Sequence, residues 1–199
     1  MRWKLIVLPV LAVIIVAAAL PARSQVIYSA QEGKQPFTVG VGISNFSDDW
    51  GITNPRQLGI TVAGDWRPPL PGRLRGIGIE GEGRDINWDT PSGISGHRMD
   101  TLLGGPMYQW RRPGRVRPFV KFLMGIGSLD FPSPGSTYNH DTRTVVAPGG
   151  GVDVRAWSRV SVRVDYEYQY WSQLFGRHDL TPNGFTIGAV YDFGQRTIN

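Results

Sequence analysis

The sequence contains no cysteine, and only 19% of its 199 residues are charged. Without thiols the chain can form no disulfide scaffold, no thiol nucleophile and no cysteine-ligated metal site. Its mean hydropathy is −0.19, and only one long apolar run is present. These shortages exclude a polytopic helical membrane protein, because each spanning helix needs about 20 consecutive apolar residues.

Glycine is abundant, at 26 residues, and is accompanied by 15 prolines, 7 tryptophans, 7 tyrosines and 8 phenylalanines. This composition favours strands and turns over helices, and a chain of this length is expected to form one domain. The sequence therefore predicts an all-β fold that either buries one core or closes one barrel.

Residues 1–24 are predicted to be a cleaved signal peptide. Met1–Lys4 carries two positive charges, Leu5–Leu20 is apolar apart from Pro9, and Ala22–Ser24 offers small residues at a cleavage site. A membrane anchor is the alternative, but the apolar run is short for a span and contains proline. Losing the three basic residues of the leader lowers the net charge from +5 to +2, so a nucleic-acid partner is not expected.

From Pro36 onward, apolar residues recur at every second position, which is the period of a β-strand. Residues 25–35 are interpreted as a short polar lead-in, residues 36–194 as the barrel and residues 195–199 as a tail. Turn residues divide the barrel into eight strands, predicted at 36–47, 55–67, 74–88, 98–111, 117–130, 142–157, 159–171 and 182–194. We therefore predict an eight-stranded antiparallel up-and-down transmembrane β-barrel.

The seventh strand shows the alternation most clearly, with Val162 and Tyr168 on one face and Arg163 and Glu167 on the other. A soluble calyx would turn the apolar face inward and bind an apolar ligand there. Its outer face would then carry long polar side chains, whereas here the polar face consists mainly of small residues interrupted by charges. Such a face fits the narrow interior of an eight-stranded barrel, which leaves the apolar face towards lipid.

Tryptophans mark the predicted strand ends, as expected for indoles at the two membrane interfaces. They form one predicted belt of Trp50, Trp88 and Trp171 and a second of Trp66, Trp110 and Trp157. The connections at the second belt are short and rich in Pro, Gly and Arg, and those at the first are mostly longer and polar. This asymmetry places the second belt on the periplasmic side.

With these features the chain resembles the small eight-stranded outer-membrane barrels of the OmpA and OmpX type and the wider group of outer-membrane β-barrel domain proteins. The resemblance implies a location in the bacterial outer membrane, contact with its lipid and lipopolysaccharide, and insertion by the outer-membrane assembly machinery. It also implies an assembly signal in the last strand, carried by Phe185, Ile187, Tyr191 and Phe193. The signal departs from the family pattern because six residues follow Phe193.

If the apolar face meets lipid, both signs of charge must point into the lumen. The predicted lumen network consists of Glu80, Glu82, Arg84, Lys121, Asp153, Arg155, Arg163, Asp165 and Glu167. Isolated ions in so narrow an interior would be costly, so we expect them to pair and to plug the lumen. A narrow ion path is the alternative.

Some barrels of this size modify lipid A with a histidine, a serine and an acid, so an enzyme is a further alternative. His97, His140 and His178 all fall in predicted outer loops, and Asp141 and Asp179 follow two of them. The His-x-Ser-Asn signature of the deacylases is not matched at His178, and no cofactor or metal motif is present. We therefore expect no enzymatic activity, and a structural or surface-interaction role whose outer ligand the sequence does not identify.

Overall fold

The computed structural model describes residues 37–47, 49, 56–88, 97–110, 114–132, 138–174 and 178–194. The predicted signal peptide, the polar lead-in, Trp50 and the C-terminal tail lie outside the described residues. The strands are β1 (Phe37–Ser47), β2 (Arg56–Trp66), β3 (Ile77–Trp88), β4 (Arg98–Gln109), β5 (Val116–Pro132), β6 (Tyr138–Arg155), β7 (Val160–Tyr168), β8 (Tyr170–Leu174), β9 (His178–Leu180) and β10 (Asn183–Asp192).

The helical content of the described residues is a single 3-10 turn at Gly72–Gly76, between β2 and β3. None of the helical residues in this part of the chain forms a segment long and apolar enough to cross a membrane.

From β1 to β7, each strand pairs antiparallel with the next in sequence; β7 then pairs with β10, and β10 pairs with β1 to close the ring. β7 and β8 together make one strand of the barrel, because both pair with β6. In the same way, β9 and β10 together make the neighbouring strand. The break falls at Gln169, whose backbone N–H donates to the carbonyl of Pro182 at 2.7 Å. Proline has no N–H to return the bond, so the regular ladder stops there. The ten strand segments therefore form the eight strands of a closed antiparallel barrel, as the sequence predicts.

Side-chain exposure separates the two faces of each strand. Val41 and Ile43 on β1 are each 57% exposed, whereas Ser44 on the opposite face of the same strand is fully buried. On β7, Val162 is 40% exposed and Arg163 is 5% exposed. In a soluble protein this arrangement would place aliphatic side chains in water, but in a bilayer it places them against acyl chains.

One pair of strands extends beyond its predicted ends. β5 and β6 remain paired out to Pro132 and Tyr138, within the segment predicted as the loop 131–141. Above the bilayer neither face of the hairpin meets lipid, so its side chains need not alternate between apolar and polar. The alternation used to predict the strand ends therefore stops before the strands do.

Candidate functional site in the barrel interior

The strand register brings long charged side chains opposite small residues. Lys121 on β5 and Glu167 on β7 both lie opposite Gly149 on β6, and Asp165 lies opposite Gly151. A Cβ atom at Gly149 would lie 3.2 Å from Cε of Lys121 and 2.9 Å from a backbone oxygen. The glycines of β6 therefore give the interior the width that its charged side chains need.

The end of the barrel with the predicted periplasmic turns is its inner end. There, Arg163 joins three strands. Its Nε donates to Asp153 at 2.7 Å, its Nη2 to Asp65 at 2.7 Å and its Nη1 to Glu80 at 3.1 Å. The guanidinium also lies 4.6 Å from the ring centroid of Phe119, within the range of a cation–π contact. Arg163 therefore has a partner on each side of its planar fork.

In the middle of the barrel, Lys121 is surrounded by carboxylates. Its Nζ lies 2.7 Å from Glu82, 3.0 Å from Glu80 and 3.1 Å from Glu167. The side chain of Lys121 is completely buried, as are those of Glu80 and Glu167. Glu80 accepts from both Arg163 and Lys121, so it connects the inner cluster with the middle one.

Arg84 extends the network towards the outer end. It donates to Glu82 at 2.5 Å and to Glu167 at 2.8 Å, and its guanidinium lies 4.1 Å from the ring centroid of Phe46. Gln169 donates to the same Glu167 oxygen at 2.8 Å and accepts from the Trp171 indole at 2.8 Å. Hydrogen bonds therefore run without interruption from the inner end to an apolar layer.

The inner end of this network is formed by Arg67. It donates to Gln109 and, at 3.2 Å, to Thr38, and its Nη2 lies 3.7 Å from Asp65. Gln109 in turn donates to Asp153 at 2.7 Å. We call the whole connected set the ion ladder; its members are Arg67, Asp65, Gln109, Asp153, Arg163, Glu80, Lys121, Glu82, Arg84, Asp165, Glu167 and Gln169.

A buried apolar cluster occupies much of the outer half of the interior. The buried cluster there consists of Phe46, Ile86, Met99, Leu103, Leu123, Leu129, Val145, Ala147, Trp171 and Leu180. Trp171 fills the space left by Gly127, where an added Cβ would lie 2.3 Å from the indole ring. The interior of the described barrel thus holds two layers in series, the ion ladder and this apolar layer. A cavity of about 20 Å³, lined in part by Gly40, Gly42 and Gly188, lies beside the ladder and is the size of one water molecule.

The structure brings eight of the nine predicted lumen residues into the ion ladder, and Arg155 is the exception. Arg155 is exposed at the last position of β6, where the strand passes beyond the ladder and the side chain reaches water. The prediction for Arg155 is therefore wrong. Sequence reasoning also missed four members of the ladder: Asp65, Arg67, Gln109 and Gln169. All four lie on the inward face by the same alternation, so the signal was present in the sequence.

The predicted aromatic belts contain one error. Trp66, Trp88, Trp110 and Trp157 are exposed, with between 37% and 70% of their surface accessible. Trp171 is only 1% exposed and belongs to the apolar layer, so it contributes no indole to the outer belt. Its position in the sequence has the same parity as Arg163, Asp165 and Glu167, which directs its side chain inward.

The predicted assembly signal lies on the lipid-facing side of the closing strand. Phe185, Ile187, Tyr191 and Phe193 are all exposed. Phe193 packs against Tyr191 at a centroid distance of 4.8 Å, and its backbone N–H donates to the Phe37 carbonyl at 3.0 Å. The residues of the signal are thus available to another protein, and their role in assembly stays a prediction.

His140 pairs with an acid on the neighbouring strand. His140 contacts Asp130 on the paired strand at 2.5 Å and Thr142 at 3.2 Å, whereas Asp141 points to the other face and pairs with Arg143 at 2.9 Å. The side chain of His140 is 53% exposed.

His97 lies at the start of β4 and is hydrogen-bonded to Gln57. Burial lowers the pKa of His97 to about 4, although the nearby Asp130 charge acts in the opposite direction. The imidazole is therefore neutral at pH 7. The side chain of His178 lies outside the described residues.

The sequence matches the family model described as "Outer membrane protein beta-barrel domain" over residues 8–193. Comparison with curated proteins gave no match.

Among solved structures, the chain is similar to Neisserial surface protein A, with a TM-score of 0.64 and 12% identity over 81% of this chain and 100% of that one. It is also similar to the attachment invasion locus protein Ail of Yersinia pestis, solved with the heparin analogue sucrose octasulfate, with a TM-score of 0.55 and 18% identity over 80% of this chain and 99% of that one. At these identities the likeness shows the fold. Together with the match over nearly the whole chain, it establishes that this protein belongs to the outer membrane protein β-barrel domain family and resides in the bacterial outer membrane.

Proposed function

We propose that this barrel is closed to ions and that it serves a structural or surface-interaction role through its outer end. The observation that carries the proposal is the filled interior. A permeating ion would have to displace the salt bridges of Arg163 and Lys121 and then pass the buried Trp171. Both steps are unfavourable, because the first leaves carboxylates unpaired in a dry interior and the second disrupts a close-packed core.

The closed lumen is tested by planar-bilayer recording from the purified, folded protein. We expect no discrete current steps, whereas a porin reconstituted in the same bilayers conducts. A Trp171→Ala variant removes the centre of the apolar layer and should stay silent, because the ion ladder below it is intact. Reproducible, long-lived openings from the native protein would overturn the closed lumen.

The charge of the outer end bears on which partners it can bind. Among the described residues there, the charged side chains other than histidine are six aspartates and three arginines: Asp49, Asp85, Asp100, Asp130, Asp141, Asp179, Arg56, Arg98 and Arg143. The Ail structure contains a heparin analogue, which is a polyanion. A polyanion requires a basic surface, so we do not extend that ligand to this chain.

This conclusion is tested by passing the folded protein over immobilised heparin at physiological salt. The net negative outer end predicts no retention from that side. To separate the two ends, the experiment uses protein in sealed vesicles that expose only the outer end. Salt-dependent retention of those vesicles would show that the outer end binds polyanions and would contradict this conclusion.

A further inference from the structure

The periplasmic end of the barrel carries a charge opposite to that of the outer end. Five exposed arginines lie on its turns and strand ends: Arg73, Arg75, Arg115, Arg155 and Arg159. Within the described part of this end, the acid outside the ion ladder is Asp192, which is half-buried and accepts a hydrogen bond from the Gly194 backbone at 2.8 Å. We call the five arginines the basic rim.

Two contacts fix the height of the basic rim relative to the lipid-facing surface. Arg159 donates to the hydroxyl of Tyr191 at 3.3 Å, and Tyr191 is an exposed, lipid-facing residue of β10. On the opposite wall, the hydroxyl of Tyr108 donates to the backbone carbonyl of Arg73 at 3.1 Å. The arginine-bearing turns are therefore held directly against the last aromatic residues of the membrane-facing wall.

The exposed indoles of Trp66, Trp110 and Trp157 lie at the same end of the barrel. Indoles prefer the headgroup region of a bilayer, and so do tyrosine hydroxyls. The guanidinium group of Arg159 and the 3-10 turn that carries Arg73 and Arg75 thus lie at the depth of the lipid phosphates. Arginine suits phosphate because its planar fork can donate two parallel hydrogen bonds to one phosphate group.

From this arrangement we propose that the basic rim binds the headgroups of anionic phospholipids in the inner leaflet of the outer membrane. The recognised chemistry is a phosphodiester with net negative charge, and the source is a lipid, because the flanking aromatic side chains require acyl chains beside the phosphate. The rim thereby fixes the depth of the barrel and its orientation across the membrane. The proposal depends on the membrane location and not on the closed lumen, so a conducting barrel would leave it intact.

The test uses folded protein in detergent, titrated with phosphatidylglycerol or with phosphatidylcholine of the same acyl chains, and native mass spectrometry to count bound lipids. The native protein should bind phosphatidylglycerol more tightly. Each arginine in an anionic headgroup layer contributes about a fivefold gain in affinity. The variant R73Q/R75Q/R159Q should therefore lose at least about tenfold of the preference.

The matched control is R56Q/R98Q/R143Q, which removes three arginines from the outer end and should keep the preference for phosphatidylglycerol. Soluble glycerol phosphate at the same concentration should not displace the bound lipid. The proposal is overturned if the native protein binds both lipids equally, if the rim variant keeps its preference or the control variant loses it to the same degree, or if glycerol phosphate competes. If the rim variant keeps its preference, these arginines do not bind the lipid, and an acidic protein becomes the alternative ligand. Gel mobility of unboiled samples confirms that each variant is folded.

Discussion

Replacing Lys121 by methionine is the sharpest probe of the ion ladder. The Nζ atom lies within 3.1 Å of the carboxylates of Glu80, Glu82 and Glu167. Methionine fills a similar volume without charge, so the change removes electrostatic pairing and opens little space. Removing one partner of a buried ion pair costs about 3–5 kcal/mol, and we expect a loss of that size in the free energy of unfolding.

Neutralising one carboxylate partner of Lys121, by Glu80→Gln, should lower the free energy of unfolding much less. The ion ladder holds six carboxylates, Asp65, Glu80, Glu82, Asp153, Asp165 and Glu167, against four cations, Arg67, Arg84, Lys121 and Arg163. Glu80→Gln removes an excess negative charge and leaves an amide oxygen to accept from Lys121. Arg163 loses one acceptor, because the new amide N–H group faces its guanidinium, but it keeps Asp65 and Asp153. The cost of Glu80→Gln should therefore stay near that of one hydrogen bond, about 0.5–1.5 kcal/mol.

The assay is reversible urea unfolding of the barrel in uncharged lipid vesicles, followed by tryptophan fluorescence and gel mobility. Arg159→Gln serves as the control, because it removes an exposed cation and should change the free energy of unfolding by less than about 0.5 kcal/mol. In the double variant K121M/E80Q, the loss should be smaller than the sum of the two single losses, because one of the unpaired carboxylates is gone. The reasoning is refuted if K121M is no more destabilising than E80Q.

Three further predictions concern the rest of the barrel. Gly127→Ala should destabilise it by about 1–3 kcal/mol in the same assay, because the new methyl group would overlap Trp171, whereas Gly81→Ala, with no neighbour within 4 Å, should not. The pKa of His97 is near 6.5 in the unfolded state and about 4 in the folded state. Between these two values only the unfolded state binds the proton, so the free energy of unfolding rises with pH from about 4 to 6.5. Lowering the pH from 7 to about 4.5 should therefore reduce the free energy of unfolding by more in the native protein than in the His97→Gln variant. Equal losses in the two proteins would contradict the assignment. Phe193→Ala should slow insertion by the purified assembly machinery relative to Ile60→Ala, another lipid-facing change; equal rates would refute the predicted signal.

Alternation in the sequence was sufficient to predict the closed barrel and the direction of most charged side chains. On β7, every second residue from Val162 is apolar and every second residue from Arg163 is polar, so the two faces are distinct. A single orientation then follows from the small size of the interior. The same parity directs Trp171 inward, whereas its place at a strand end predicts an interfacial indole; the structure follows the parity.

The apolar layer could not be predicted in this way. On β5 the residues from Phe119 to Met124 are apolar on both faces except for Lys121, so the lipid-facing and interior sets cannot be separated by period. The structure separates them by register, with Leu123 completely buried against Ala147 and Phe122 45% exposed. Partners within the ion ladder are likewise set by strand stagger, which brings Arg163 to Asp65 across 98 residues.

The central claim is that one apolar face of each strand meets lipid while the other closes the interior. It is tested most directly by nuclear Overhauser effects between protein methyl groups and lipid acyl chains, measured on the unmodified protein in nanodiscs. Methyl groups of Val162, Val164 and Ile187 should show contacts with acyl chains, and those of Leu123, Val145 and Val190 should show none. Acyl-chain contacts from the second set, with none from the first, would contradict the account.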